Sequence, residues 1–171
     1  MTIPLLSDLE SDASKLNLLL RLQIRRPLNL WAFKIVVGQK LDIDKVKIMG
    51  EMKGWAYSDS KGLQLDTMRV SNSASAGVGH LIWAATMAWA LESTPCKKAR
   101  LLAIFDEKQL HDRLVKYFTR RGFRYVREVK SSLNDLPLRM VWGGSGSLMV
   151  ANCADVLAYS STLWKISESK Y

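Results

Sequence analysis

The sequence predicts an α/β fold of the α+β kind: a mixed β-sheet flanked by helices. Three observations carry this. From residue 30 onward, stretches of strand and helix character follow in the order strand, strand, strand, helix, strand, helix, strand, strand. The helix at 78–92 is apolar around much of its circumference, so it has to be covered on more than one side. A second helix, at 106–122, carries an apolar stripe of Leu110, Leu114, Tyr117 and Phe118 at helical spacing.

The elements follow in order. Residues 9–22 are expected to be helical, with Leu16, Leu19 and Leu20 at helical spacing and Asp8, Glu10 and Asp12 near the amino end, where the helix dipole favours acids. The run Arg25, Arg26, Pro27 stops it. The stretch LWAFKIVVG (30–38) is β-branched and aromatic and ends in glycine, the composition of a strand. A further strand at 44–57 and one at 63–70 flank the turn residues SDSKG. Along 63–70 the alternation puts Leu63, Leu65, Thr67 and Arg69 on one face and Gln64, Asp66, Met68 and Val70 on the other. After the helix at 78–92, RLLAIF (100–105) reads as a short strand. The helix at 106–122 has Asp106 as N-cap, Glu107 in its first turn, Arg120 and Arg121 in its last turn and Gly122 just beyond. FRYVREV and LRMVWG (138–143) are strands, and 147–171 is a tail with a short final helix.

The chain has 171 residues, the size of one domain (1–171), and is 48% hydrophobic and 24% charged, a globular rather than a disordered balance. The apolar run 81–91 falls short of the roughly 20 residues of a membrane span. The start, MTIPLLSDLESD, is acidic and lacks the basic region of a secretory signal, so a cytoplasmic location is expected. Cys96 and Cys153 lack metal-ligand spacing and are expected to be reduced thiols, with no metal bound. The net charge of +9 points to an acidic partner, RNA or a phosphate-rich cosubstrate, with the series Arg113, Lys116, Arg120, Arg121, Arg124 and Arg127 as the candidate surface; a solvated helix face is the plainer reading. The six tryptophans lie mostly on apolar elements and are assigned to the core rather than to a base-stacking platform.

The chemistry is concentrated at SASAGVGH (73–80). Small residues lie directly before a buried helix, whose first backbone N–H groups have no partners within the helix. Its dipole favours an anion there, and glycine lets a phosphate approach the backbone. The loop is not a Walker A, since it lacks GK[ST], nor the dinucleotide GxGxxG, since Ile82 and Trp83 occupy the later positions. By itself GxG equally marks an ordinary turn.

ASAGVG (74–79) and HDRLVKYFTRRGF (111–123) stand on successive helices with a strand between, and here the stretch 63–126 resembles the GNAT superfamily of acyl-CoA-dependent N-acyltransferases. That family has an [RQ]xxGx[GA] loop before its central helix and often NxxAxxxYxxxGF on the next. The resemblance implies a GNAT-like sheet, with 9–22 and 147–171 as extensions. It implies acetyl-CoA as cosubstrate, held by Ser75, Ala76, Gly77, Val78, Gly79 and His80 with Met68 and Val70 on the preceding strand, and a primary amine as acceptor. The chain departs from the pattern at Ala74 (Arg or Gln), His111 (Asn), Leu114 (Ala) and Phe118 (Tyr, a common acid for the departing thiolate). His111 and Asp66 are the expected catalytic residues, as proton donor and base; Asp106 and Glu51 are further base candidates, Asp106 serving equally as a simple cap. Three functions stay open: an N-acyltransferase, a GNAT-like module that binds without catalysing, or, on charge alone, an RNA-binding protein.

Overall fold

The leucines near the amino end serve two elements. The computed structural model, which describes residues 2–104, 108–130 and 145–170, places helix α1 at Leu6–Lys15 and strand β1 at Leu18–Arg25. The helix expected over 9–22 therefore ends at Lys15. Asn17 turns the chain with a φ of 59°, and LLLRLQIR then alternates with the period of a strand, burying Leu20 and half-burying Leu18 and Leu22. Leu16, Leu19 and Leu20 fit a helical spacing, but Leu18, Leu20 and Leu22, two apart, fit β1.

The expected order then holds. β2 (Trp31–Asp42), β3 (Lys45–Ala56) and β4 (Leu63–Val70) form an antiparallel meander; α2 (Ala76–Ser93) crosses to β5 (Lys98–Ile104), and α3 (Lys108–Arg121) to β6 (Arg124–Val129). The carboxyl end is no tail. β7 (Gly146–Asn152) enters the sheet between β5 and β6, and α4 (Cys153–Glu168) has 16 residues, with Asn152 as its N-cap accepting from the Ala154 N–H. The strand expected at 138–143, Trp142, Asp106 and Glu107 lie outside the described residues. The sheet is mixed and seven-stranded, in the order β1-β2-β3-β4-β5-β7-β6, with β4 and β5 its parallel pair. The predicted fold class, a mixed sheet flanked by helices, is the one observed.

Helix α2 is buried from Gly77 to Trp89 save for Gly79 and His80. One side meets the sheet, where Trp89 packs its ring 4.9 Å from that of Phe33. The remaining sides meet α1 and α4 along the helix, and α3 where Trp83 contacts Tyr117 and Phe118. Burying each large side chain contributes about 1.5–3 kcal/mol. One core cluster runs from Leu9 on α1 to Trp164 on α4; Leu102, Leu148 and Val129 form a second, on the opposite face of β5. The expected stripe of α3 is rotated. Val115 and Phe118 pack on the core, while Leu110 and Leu114 are 48% and 38% exposed.

Two irregularities shape the middle of the sheet. Lys53 pairs with Thr67 and Gly54 with Leu65, so Asp66 is the extra residue of a bulge. The bulge reverses the alternation expected along β4. Leu63 and Leu65 face the core, and beyond it Met68 and Val70 stand opposite the core-side Met52 and Gly50, so that the even-numbered residues turn to the helical side. Gly54 is needed here, because a Cβ would run into the Gln64 carbonyl oxygen. The second irregularity is that β4 and β5 pair only at Leu63–Ala99 and Gln64–Arg100. Beyond that pair β4 stays with β3 and β5 with β7, and the two strands part in a V. At its vertex the Gln64 amide oxygen, assigned toward Arg100, accepts from the guanidinium, with Nε at 3.0 Å.

Candidate functional site

The V holds a small cavity of about 60 Å³ lined by Leu65, Asp66, Thr67 and Met68 of β4, Met52 of β3, Leu101 and Leu102 of β5, Trp83 of α2 and Phe118 of α3. Its walls are mostly apolar; the carboxylate at its edge is Asp66. Asp66 is exposed, and Thr67 Oγ1 donates to it at 3.3 Å. The same residue borders a shallow groove on the face of the sheet away from α2, with Arg25, Lys34, Lys53 and Trp55. Asp66 thus stands where the two depressions meet. Glu51 is paired with two lysines of this groove, Lys34 at 3.3 Å and Lys53 at 3.9 Å.

The amino end of α2 lies beside Met68. Ser75 is the N-cap, no side chain caps the first-turn amides, and no acid stands in that turn. The glycines divide the work. A Cβ on Gly77 would meet Ser167 Cβ at 3.0 Å and Trp164 Cζ3 at 3.3 Å, so Gly77 is where α4 packs against α2. Gly79 is half-exposed and a Cβ there would meet only the Met68 methyl, at 3.9 Å. Val78 is buried against the sheet, leaving only its backbone for a ligand. Val70, at the end of β4, is 40% exposed. Ser75 and Ala76 are exposed at the start of the helix. On the Gly79 side of this helix end the backbone is open; on the Gly77 side α4 packs closely and leaves a groove lined by Ser75, Ala76, Gly77, Ser167 and Lys170.

Lys47 reaches the same loop from the β2–β3 hairpin, donating to Ser73 Oγ at 3.0 Å, and Ser73 and Ser71 are hydrogen-bonded at 2.9 Å. It brings a cation to a loop in which Ala74 has none. A polar cluster closes the α3 side. The Tyr117 hydroxyl accepts from Trp83 Nε1 at 2.9 Å and from Arg121 Nη2 at 3.2 Å. Arg121, expected on the solvated basic face, is 4% exposed. It donates to Ser160 Oγ at 3.0 Å and, through both terminal nitrogens at 3.3 Å, to His80 Nδ1. The rings of Trp83, Tyr117 and Tyr159 surround its charge. Burial pulls the guanidinium pKa down, but an arginine this far above neutrality keeps its proton. Burial first, and then the Arg121 charge, hold His80 below the ordinary histidine value.

His111 lies apart from the cavity lining. Its Nε2 is 3.1 Å from Ser147 Oγ, which donates to Glu128 at 2.7 Å, and its Nδ1 faces the Ile104 carbonyl at 3.4 Å. The structure therefore brings Asp66, Met68 and Phe118 around one cleft, with Gly79 beside Met68, and sets His111 at the far end of β5. Cys96 and Cys153 are buried free thiols; burial raises both, Cys153 to about 12. Among the described residues no group of side chains is arranged to hold a metal, and no helix is long and apolar enough to cross a membrane.

The fold and the cleft define a mixed α/β protein with a divided sheet and a small-residue helix end at the division. No protein-family model and no curated protein matches the sequence. Among solved structures it is similar to an uncharacterized protein from Bacillus halodurans, at 14% identity and a TM-score of 0.49 over 80% of this chain. This chain spans 66% of the length of that one.

Proposed function

We propose that the protein is an acyl-CoA-dependent N-acyltransferase related to the GNAT superfamily, transferring an acetyl group from acetyl-CoA to a primary amine. The observation that carries the reading is the parting of β4 and β5 directly beside the open, uncapped amino end of α2. A phosphate of CoA binds at Gly79 with the backbone amides and His80, Lys47 adds charge at Ser73, and Met68 and Val70 line the way to the V. The thioester then lies along the bulged part of β4, with Phe118 and Trp83 excluding water. The amine comes from the groove on the other face, and Asp66, at the junction, takes its proton directly or through one water. Phe118 has no proton to give to the departing thiolate. His111 is the donor inferred from sequence; its present contacts to Ser147 of β7 and the Ile104 carbonyl of β5 mean that it serves only if it exchanges them. A cytoplasmic location belongs to this reading.

The second reading, a module that binds acyl-CoA or an acidic partner without turnover, is favoured by Phe118 itself, which lines the cleft where a proton donor is expected. The test is thiol release from acetyl-CoA with a panel of primary amines. The enzyme gives amine-dependent release, slowed about 10²–10⁴-fold in Asp66→Asn. CoA binding with no release for any amine selects the module.

A further inference from the structure

The buried Arg121 has no carboxylate within ion-pairing distance among the described residues, and its Nε has no hydrogen-bond partner. A buried cation without a counter-ion is costly, and its retention asks for a reason. The reason lies in what it does to His80. A guanidinium has only donors. Both of its terminal nitrogens meet Nδ1 of His80, so that nitrogen has to present its lone pair, and the ring proton has to sit on Nε2. Among the described residues Nε2 has no partner, and His80 is half-buried, one residue beyond the open Gly79.

We infer that Arg121 is a positioning residue which locks His80 as the neutral Nε2–H tautomer, so that the amino end of α2 offers its anionic ligand a directed side-chain donor besides its backbone amides. The inference rests on the reading above for the identity of the ligand, a CoA phosphate, but not for the tautomer. A second cation beside Arg121 would be repelled, so the donor stays neutral. Among the described residues the charged group facing the ring is Arg121 of α3, with Tyr117 of α3 and Tyr159 of α4 against the guanidinium; α2 itself has no acid in its first turn. Among the described residues no carboxylate offers the ring a negative charge that would hold a second proton.

Two consequences separate this from a merely structural role for Arg121. Between pH 8 and pH 6 the wild type gains less CoA affinity than Arg121→Met does, because burial and the Arg121 charge hold His80 below the ordinary histidine value. In Arg121→Met the ring is no longer held, both tautomers populate and protonation comes at higher pH. Affinity at pH 8 then falls about 2-fold, since only about half of the rings present Nε2–H, and recovers on acidification as His80 becomes a cation.

The experiment uses the full chain. Long-range nitrogen–proton NMR of the imidazoles, with His80→Gln to assign the signal, reads the tautomer directly. Arg121→Met and Arg121→Lys are compared with the wild type, and CoA titrations at pH 6 and pH 8 run alongside. Expected are a pyridine-type Nδ1 and a pyrrole-type Nε2 in the wild type and an averaged pair in Arg121→Met, with Arg121→Lys, which keeps a donor, closer to the wild type. If Arg121→Met does not fold, the wild-type spectrum and Arg121→Lys still decide. An Nδ1–H ring in the wild type, or an unchanged ring in Arg121→Met, overturns the inference. The expected spectra without any CoA binding keep the Arg121–His80 lock, remove its ligand role and overturn the cosubstrate reading.

Discussion

At the scale of single residues, the site is governed by which groups are available for protons. His80 has a folded-state pKa below its unfolded value. The unfolded chain therefore takes up a proton first as the pH drops, and stability present above about pH 6.5 is lost as the pH falls toward the folded value. His80→Asn should flatten the fall in melting temperature between pH 7 and pH 5. An equally steep fall in the variant would place the effect on other groups. Phe118 poses the opposite problem, a missing proton. It lines the cleft, while the neighbouring Tyr117 hydroxyl already receives two N–H groups. Phe118→Tyr adds a hydroxyl facing the V and should leave the fold intact. Where another donor already serves, acetyl transfer changes only slightly; where the site lacks one, thiol release rises. Loss of folding in this variant would mean that the cavity has no room for the oxygen.

At the scale of elements, the start of α2 does two jobs, and its two glycines divide them. Gly77 accommodates α4, so Gly77→Val should lower the melting temperature by forcing Ser167 and Trp164 away, an overpacking cost of about 1–3 kcal/mol. Gly79 faces open space, so Gly79→Val should leave the melting temperature nearly unchanged and weaken CoA binding. Equal effects of both variants on melting would refute the division. The sequence made the helix and its small-residue start legible, because an all-round apolar run after a glycine loop has few other solutions. It does not reveal that α4 covers Gly77, because its carboxyl end predicts only a short helix. β1 was hidden for a different reason: leucines at 16, 19 and 20 satisfy a helical spacing while those at 18, 20 and 22 satisfy a strand. The bulge at Asp66 left no local signal beyond an acid in a strand. Arg121 read as one more cation in a basic helix end, since burial depends on α2 and α4 arriving from distant parts of the chain.

At the scale of the whole molecule, the charge of +9 has to be apportioned between the cleft and the outer surface. Arg121 is buried and Lys47 is turned to the serine loop, whereas Arg113, Lys116, Arg120 and Arg124 are exposed on α3 and at the start of β6. The two groups answer to different ligands. A cosubstrate held at the start of α2 binds the folded state alone. At 100 times its dissociation constant acetyl-CoA then adds about 2.7 kcal/mol. For a chain of this size that raises the melting temperature by about 5–11 °C, at about 2–4 °C per kcal/mol. A polyanion on the outer surface behaves otherwise. Four cations meeting single-stranded RNA give log affinity against log salt a slope of about −3, at about −0.7 per phosphate neutralised. The shift with millimolar acetyl-CoA should appear at physiological salt, be reproduced by CoA and be abolished in Gly79→Val. A single-stranded RNA oligomer should give no comparable shift under those conditions. No shift with acetyl-CoA, together with salt-steep RNA binding that Arg113→Ala and Lys116→Ala weaken, would move the site of action from the cleft to the basic surface of α3.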